Sequence, residues 1–370
     1  MKVRDVCAAL DEWAPPDLAD EGDRVGLSIG APDWDVSRVL VALTVTEPVL
    51  RKAKDTGAQM IVSHHPVIWR ALSNLRADDP HTALCLALAE ARIACFAAHT
   101  NLDVAPGGVN DTLAGLLGLA NQTPLLPVPH ATQVKLVTFV PESHLGAVRE
   151  AVCEAGAGVI GDYTHCSFSS AGVGTFFPGA AATPFSGEKG QVNEAPERRF
   201  EVLVAKARLA PVLQALVAAH PYEEPAYDVV CLDNRDPRPG LGVRGELADT
   251  VALDAFADKV RGALGLSHVR VLGDAERPVR TVAALGGSGG GEVGEIPLDV
   301  DVYVTGDVGY HEAVTASERG LAVIDAGHRG TERCIVPVLK RFLCEKLEGL
   351  QVDVYDEPDV FRVLAADPVV

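Results

Sequence analysis

Residues 38–66 read RVLVALTVTEPVLRKAKDTGAQMIVSHHP, and this stretch decides the fold class. Its first part, residues 38–45, is a β-rich apolar run. Residues 47–56 have helical composition, and residues 59–63 form a second, shorter apolar run. Strands that are apolar throughout, joined by a helix, belong to a largely parallel sheet covered on both faces. The second run ends abruptly in Ser63-His64-His65-Pro66. The same alternation continues with a predicted helix over 80–92, a strand over 93–98 and a helix over 109–118 that stops at glycine.

The pattern changes at residues 124–129, where three prolines mark a linker. Beyond it the composition predicts a strand at 133–140, a helix at 142–155, strand-like segments within 162–177 and a polar, mobile loop at 183–196. A strand at 200–205, a helix at 210–219 and a strand at 227–232 follow. Strand, helix, strand, strand, helix, strand is the split βαβ, ferredoxin-like order. A second linker, rich in Asp, Arg, Pro and Gly, covers residues 233–240. The α/β alternation then resumes, with strands at 269–272, 281–285, 302–305 and 322–325 and a long helix at 332–347. The expectation is an α/β core formed by residues 1–128 and 236–370, interrupted by an inserted α+β domain at 129–235.

Composition narrows the function. Acidic residues outnumber basic ones 51 to 32, a formal charge of −19 over 370 residues. Nucleic acid is an unlikely partner, because phosphate backbones need clustered Lys and Arg, and anionic membranes are disfavoured for the same reason. A phosphorylated small molecule is not excluded, since a bound cation reverses the local sign. The N-terminal stretch has no apolar signal-peptide core, and no apolar run is long enough to span a bilayer. The eight cysteines form no CxxC pair and read as reduced, mostly buried thiols. A cytoplasmic protein is expected.

Sites in open α/β sheets form beyond the carboxyl ends of the strands, so polar residues directly after apolar runs are the candidates. Adjacent His64 and His65 would serve two metal ions from one chain exit, stiffened by Pro66; paired surface histidines are the plainer reading. His99-Thr100-Asn101-Leu102-Asp103 offers an imidazole and a carboxylate, or an Asx turn. In Asp325-Ala326-Gly327-His328-Arg329-Gly330-Thr331-Glu332, His328 and Glu332 share a face if the turn is helical, although a glutamate at a helix start also serves the helix dipole. Thr305-Gly306-Asp307, followed by Tyr310 and His311, would line a cavity, support a ligand or cap a helix. Gly286-Gly287-Ser288-Gly289-Gly290-Gly291 would cradle an anion with backbone amides or serve as a connection needing positive φ. Taken together, two imidazoles, a carboxylate, another imidazole and another carboxylate suit Zn, Mn, Fe or Mg. A bridging glutamate suits two ions about 3.5–4 Å apart, the arrangement that activates water and stabilises a leaving oxygen.

With these residues in hand, the sequence resembles the GTP cyclohydrolase type 2 homologue family, the Ngg-interacting-factor-three-like proteins, over nearly its whole length. The marks are D-R-V-G-L at 23–27, S-H-H-P at 63–66, H-T-N-L-D at 99–103, the glycine run, T-G-D at 305–307 and G-H-x-x-T-E at 327–332. The resemblance implies two related α/β halves around a dinuclear metal site, with His64, His65, Asp103, His328 and Glu332 as ligands and Glu332 as the bridge. It implies His64 and His328 nearer one ion, and His65 and Asp103 nearer the other. It also implies a toroidal homohexamer and an insertion similar to the PII signalling and cation-tolerance proteins. Within that insertion, His220 and Glu223 of H-P-Y-E-E-P read as a structural turn rather than a metal site. The chain departs from the family pattern at Arg24, where Asn is frequent, and at Thr44, where Asp is frequent.

The expected function is hydrolysis of GTP, a related nucleotide or a phosphoester by a metal-bound hydroxide. His99, Asp307 and His311 are the candidates for moving protons. The alternative is a non-enzymatic metal-sensing or metal-trafficking scaffold. A transcription-associated interaction protein is disfavoured by the acidity.

Overall fold

The computed structural model describes residues 1–128, 133–233, 239–361 and 363. The chain divides into two compact units, one built from residues 1–128 and 237–370 and the other from 129–236. No helix among the described residues is long and apolar enough to cross a membrane.

The first unit begins with α1 (Val3–Trp13), β1 (Gly26–Ile29), β2 (Arg38–Ala42), α2 (Glu47–Thr56), β3 (Met60–Ser63), α3 (Pro80–Glu90), β4 (Ala94–Ala97), α4 (Thr100–Val104), α5 (Val109–Leu117) and β5 (Ala120–Pro127). The second unit holds β6 (Gln133–Val140), α6 (Leu145–Glu154), β7 (Ser167–Phe176), β8 (Asn193–Ala205), α7 (Leu209–Ala219) and β9 (Tyr227–Cys231). The first unit then resumes with β10 (Gly240–Ala252), α8 (Leu253–Ala263), β11 (Arg270–Leu272), β12 (Pro278–Ala284), β13 (Val302–Thr305), α9 (Tyr310–Glu318), β14 (Ala322–Asp325), α10 (His328–Glu332), α11 (Ile335–Lys346) and β15 (Gln351–Val354).

The first unit contains two sheets rather than one. One has the order β1-β4-β3-β2-β15, with β15, β2, β3 and β4 parallel and β1 antiparallel to β4. The other has the order β11-β14-β13-β12-β10-β5, with β12, β13 and β14 parallel and β11 antiparallel to β14. β5 comes from residues 1–128 yet pairs with β10, and β15 comes from the end of the chain yet pairs with β2. Each sheet therefore borrows an edge strand from the other segment. The middle strands β3, β4, β13 and β14 are buried at every position, which is why they read as unbroken apolar runs. Each large apolar side chain so buried contributes roughly 1.5–3 kcal/mol. Separate apolar clusters cover both faces of both sheets.

The second unit follows the strand and helix order expected from sequence. Its sheet runs β7-β8-β6-β9, with every neighbouring pair antiparallel. Helices α6 and α7 cover one face through Val148, Val152, Val212 and Leu216.

Several expectations are corrected. Pro124 and Pro127, taken as linker, lie in β5; β5 is an edge strand, where a residue without an N–H is tolerated. Pro129 of that linker, and residues 234–238 of the second linker, lie outside the described residues. The polar loop expected at 183–196 gives its last four residues to β8, where Asn193–Pro196 face β7. The long helix expected at 332–347 is α11, which starts three residues later at Ile335, because the short α10 before it ends at Glu332. All eight cysteines are unpaired, but Cys231 and Cys344 are exposed rather than buried.

Candidate metal centre

The candidate residues gather where the central parallel strands of both sheets end. His64 and His65 leave β3, and His99 and Asp103 follow β4. Asp307 follows β13, and His328 and Glu332 follow β14 as the ends of α10. Two sheets thus contribute corresponding strand ends to one site.

His64 and His65 sit on the bend just past β3, with ring centres 5.1 Å apart, and engage different partners. His64 is fully buried, with Nδ1 2.8 Å from the Ala98 carbonyl. Its Nε2 lies 3.6 Å from Asp103 Oδ1 and 3.6 Å from Glu332 Oε1. His65 turns the other way, with Nδ1 2.7 Å from Thr44 Oγ1 and Nε2 2.9 Å from Glu332 Oε2. His328 Nε2 reaches the same Oε2 at 3.1 Å, and its Nδ1 lies 2.8 Å from Asp307 Oδ2. The geometry therefore pairs His64 with Asp103 and His65 with His328, with Glu332 between. The resemblance set His64 with His328 and His65 with Asp103, whereas the distances here favour the other pairing. The reason is local: the bond to Ala98 turns His64 inward toward α4, and Thr44 turns His65 toward α10.

These donors fit a metal. A distance of 3.6 Å is too long for a hydrogen bond, so His64 Nε2 and Asp103 Oδ1 are buried without a partner. Leaving such atoms unsatisfied costs about 1–3 kcal/mol each. Two donors bound to one ion at ~2.0–2.2 Å would lie roughly 3.4 Å apart at a tetrahedral angle, close to the gap observed. Two groups of potential ligands bring their donor atoms within 4.8 Å of one another, His64 with His65 and His99, and His65 with His328 and Glu332. The mixed N/O donor set suits divalent transition metals.

The imidazoles are held from behind. A ring whose Nδ1 is engaged presents Nε2 to a metal, and such outer partners fix tautomer and orientation. Ala98, Thr44 and Asp307 do this for His64, His65 and His328. Asp307, expected as a proton carrier, is thus placed behind His328. His99 has Nδ1 2.9 Å from Asp23 Oδ2, and its ring centre is 5.2 Å from that of His64 and 5.7 Å from that of His65. Asp23 also accepts from Thr100 Oγ1 at 2.5 Å. His311 is exposed on the first turn of α9, with its ring against Tyr310, and belongs to neither cluster of potential ligands.

The charge balance is set by burial and neighbours. Burial works against a charged His64, yet Asp103 and Glu332 outweigh it and lift its pKa to about 9. The hydrogen bond to Glu332 lifts His328 to about 9. Burial raises Asp103 to about 7 despite the attraction of His64. Burial also opposes ionisation of Glu332, but His64, His328 and His65 hold it well below the ordinary carboxyl value. Burial, with His64 nearby, pushes His99 below its ordinary value.

The glycine run serves close approach. The amides of Gly286 and Gly287 donate to Asn110 Oδ1 at 2.8 Å and Thr331 Oγ1 at 2.9 Å. Those two amides are committed and cannot cradle an anion. A Cβ at Gly306 would meet the His328 nitrogen at 2.5 Å. Sequence reasoning quoted Asp23 only as part of a motif and missed Asn110. Asn110 is buried, and its amide nitrogen donates to the Asp103 carbonyl at 2.9 Å. A buried asparagine inside an apolar helical pattern was the available signal.

The second unit carries a cavity of about 570 Å³ lined by Phe139, Phe176, Phe185, Tyr222, Glu197 and others. It is remote in sequence from every candidate ligand and contributes to neither ligand cluster. His220 Nε2 donates to the Phe139 carbonyl at 3.1 Å, and Nδ1 accepts from the Tyr222 amide at 3.2 Å. Both ring nitrogens are occupied, and the turn reading of H-P-Y-E-E-P stands.

The family model for Duf34/NIF3 (NGG1p interacting factor 3) matches residues 1–359. The chain belongs to the DUF34/NIF3 family. A DUF34/NIF3 relative from Halalkalibacterium halodurans, named GTP cyclohydrolase 1 type 2 homolog, is 40% identical over 98% of this chain and 97% of its own length. A relative of the same name from Mycobacterium tuberculosis is 39% identical over 90% of this chain and 88% of its own. The crystal structure of a Bacillus cereus protein related to NIF3 matches with a TM-score of 0.85 at 39% identity, covering 98% of this chain and 99% of that one. A Staphylococcus aureus protein matches with a TM-score of 0.73 at 28% identity, covering 98% and 99%.

Proposed function

We propose that this DUF34/NIF3 protein is a hydrolase that uses a pair of divalent metal ions, Zn, Mn, Fe or Mg, to cleave GTP, a related nucleotide or a phosphoester. One ion would be held by His64 and Asp103 and the other by His65 and His328, with Glu332 shared. The observation that carries this reading is the pair of buried, unpartnered donors facing each other at 3.6 Å, His64 Nε2 and Asp103 Oδ1. The relatives' name, GTP cyclohydrolase 1 type 2 homolog, directs attention to GTP.

When bound, such a pair lowers the pKa of water and stabilises the leaving oxygen. The protein's own groups do the rest. His99, kept below its ordinary pKa and oriented by Asp23, takes a proton from the attacking water and returns it to the leaving group. Asp307 engages His328 Nδ1 and so keeps Nε2 turned toward Glu332 and the metal position. His311 is retained as a candidate only for a substrate that reaches α9. Side chains of His65 and His328 are 22% and 37% exposed, against 0% for His64, which supports substrate entry from the His65 and His328 side.

The strand repeat in the two sheets of the first unit supports two related α/β halves. The β6–β9 order and pairing support a ferredoxin-like insertion of the PII-like kind. Eight unpaired cysteines support a reducing compartment, the cytoplasm. The family resemblance motivates a homohexamer, which native mass measurement tests.

The deciding experiment loads the protein with each metal and assays GTP and a phosphoester panel. Metal-dependent turnover abolished by His65→Ala and by Glu332→Gln supports the hydrolase. Reversible metal exchange with no turnover across the panel supports instead a metal-sensing or trafficking scaffold.

A further inference from the structure

The chain does not end its structural role at β15. The backbone runs on past Val354 along β2, with the Tyr355 amide 2.9 Å from the Val41 carbonyl. This brings Glu357 to the exit of β2, where its Oε1 accepts from the Thr44 amide at 2.7 Å. Thr44 is the residue behind His65: its Oγ1 lies 2.7 Å from His65 Nδ1. The neighbouring Leu43 carbonyl accepts from the His65 amide at 2.9 Å. The short segment 43–44 therefore fixes both the backbone and the ring of His65, and Glu357 fixes that segment.

The same few residues grip the opposite side of the site. Arg329, in α10 between His328 and Glu332, donates to Asp356 Oδ1 at 2.8 Å and also to the Glu357 carbonyl. Asp356 is largely exposed, but only about a fifth of the Arg329 side chain is, and its bond to the Glu357 carbonyl is partly buried, a charge-assisted contact stronger than a neutral one. The tail thus contacts α10, which carries His328, and segment 43–44, which holds His65. Among the described residues, no contact from residues 355–357 reaches the other subsite. His64 and Asp103 are set by Ala98 and by the turn that Asn110 ties down.

We propose that residues 355–357 form a strap that sets the spacing between His65 and His328, with Glu357 and Arg329 as positioning residues for the metal bound there. The inference rests on the two-metal reading above. Outer partners of metal ligands are commonly worth about 10–100-fold in metal affinity. The strap should exert that effect on one subsite and leave the other unaffected.

The test is a spectroscopic Co(II) titration of the full chain. The wild-type protein should take up two equivalents. Glu357→Ala should keep the first at wild-type affinity and weaken the second about 10-fold or more. Glu357→Gln, whose side-chain carbonyl still accepts from the Thr44 amide, should restore it. Arg329→Gln cuts the strap from the other side without touching Thr44. It should reproduce the selective loss and carries the test if Glu357→Ala fails to fold. Uptake of no stoichiometric Co(II) by the wild type would overturn the metal reading itself. Two wild-type equivalents, with both affinities unchanged or equally weakened in the folded variants, would overturn the strap alone.

Discussion

Gly287 leaves no room for a side chain beside Glu332: a Cβ placed there would sit 2.2 Å from Glu332 Oε1, and the backbone φ is +76°. The shared carboxylate therefore depends on a glycine 45 residues away in sequence. Gly287→Ala should displace Glu332 and strain the turn, at about 1–2 kcal/mol for the left-handed backbone alone. Thermal unfolding and metal content, measured together, should both fall. Unchanged metal content would show that Glu332 has room to spare.

Asp307 is expected to act through His328. Asp307→Ala removes the partner of Nδ1 and should weaken the ion at His65 and His328 by about 10–100-fold. The ion at His64 and Asp103 should be untouched. Equilibrium metal competition resolves the two steps.

Asp23 should matter to chemistry rather than to metal. Asp23→Asn leaves the ligands in place but weakens the orientation and basicity of His99. Under the hydrolase reading, kcat should fall by about 10²-fold or more with metal content unchanged. Loss of metal in this variant would move Asp23 and His99 into the ligand set.

The metal-free site should be a proton store. His64 and His328 titrate near pH 9 in the folded protein, above the ordinary value of 6.5. Their contribution to stability is complete below about pH 6.5 and lost as pH rises through 9. Stability of the metal-free protein should therefore decline across that window. Metal uptake near pH 7 should release about two protons or more, read by calorimetry in buffers of different ionisation enthalpy, and affinity should rise with pH up to about 9. A release near zero would mean the imidazoles are already neutral.

The central strands and the candidate ligands were legible because burial on both faces writes β3, β4, β13 and β14 as apolar runs, and polar residues at their ends stand out. The edge strands were not. β1 is half-buried throughout, β5 contains two prolines, and β10 carries several glycines, so none shows a clean apolar or alternating pattern. The exchange of β5 and β15 between sheets depends on long-range pairing that local composition does not encode. The approach of His64 to Asp103 was hidden for a similar reason. Ala98 holds one ring through its backbone carbonyl, which no side chain announces, and Thr44 holds the other but stood out in the sequence only as a departure from the family pattern.

Elemental analysis of desalted protein after loading with zinc, manganese or iron, combined with anomalous diffraction at the metal edge, bears most directly on the metal pair. Two tightly held ions per chain are predicted, one between His64 and Asp103 and one between His65 and His328, each touching Glu332. Protein that is folded yet retains no stoichiometric metal, or anomalous peaks remote from Glu332, would contradict it.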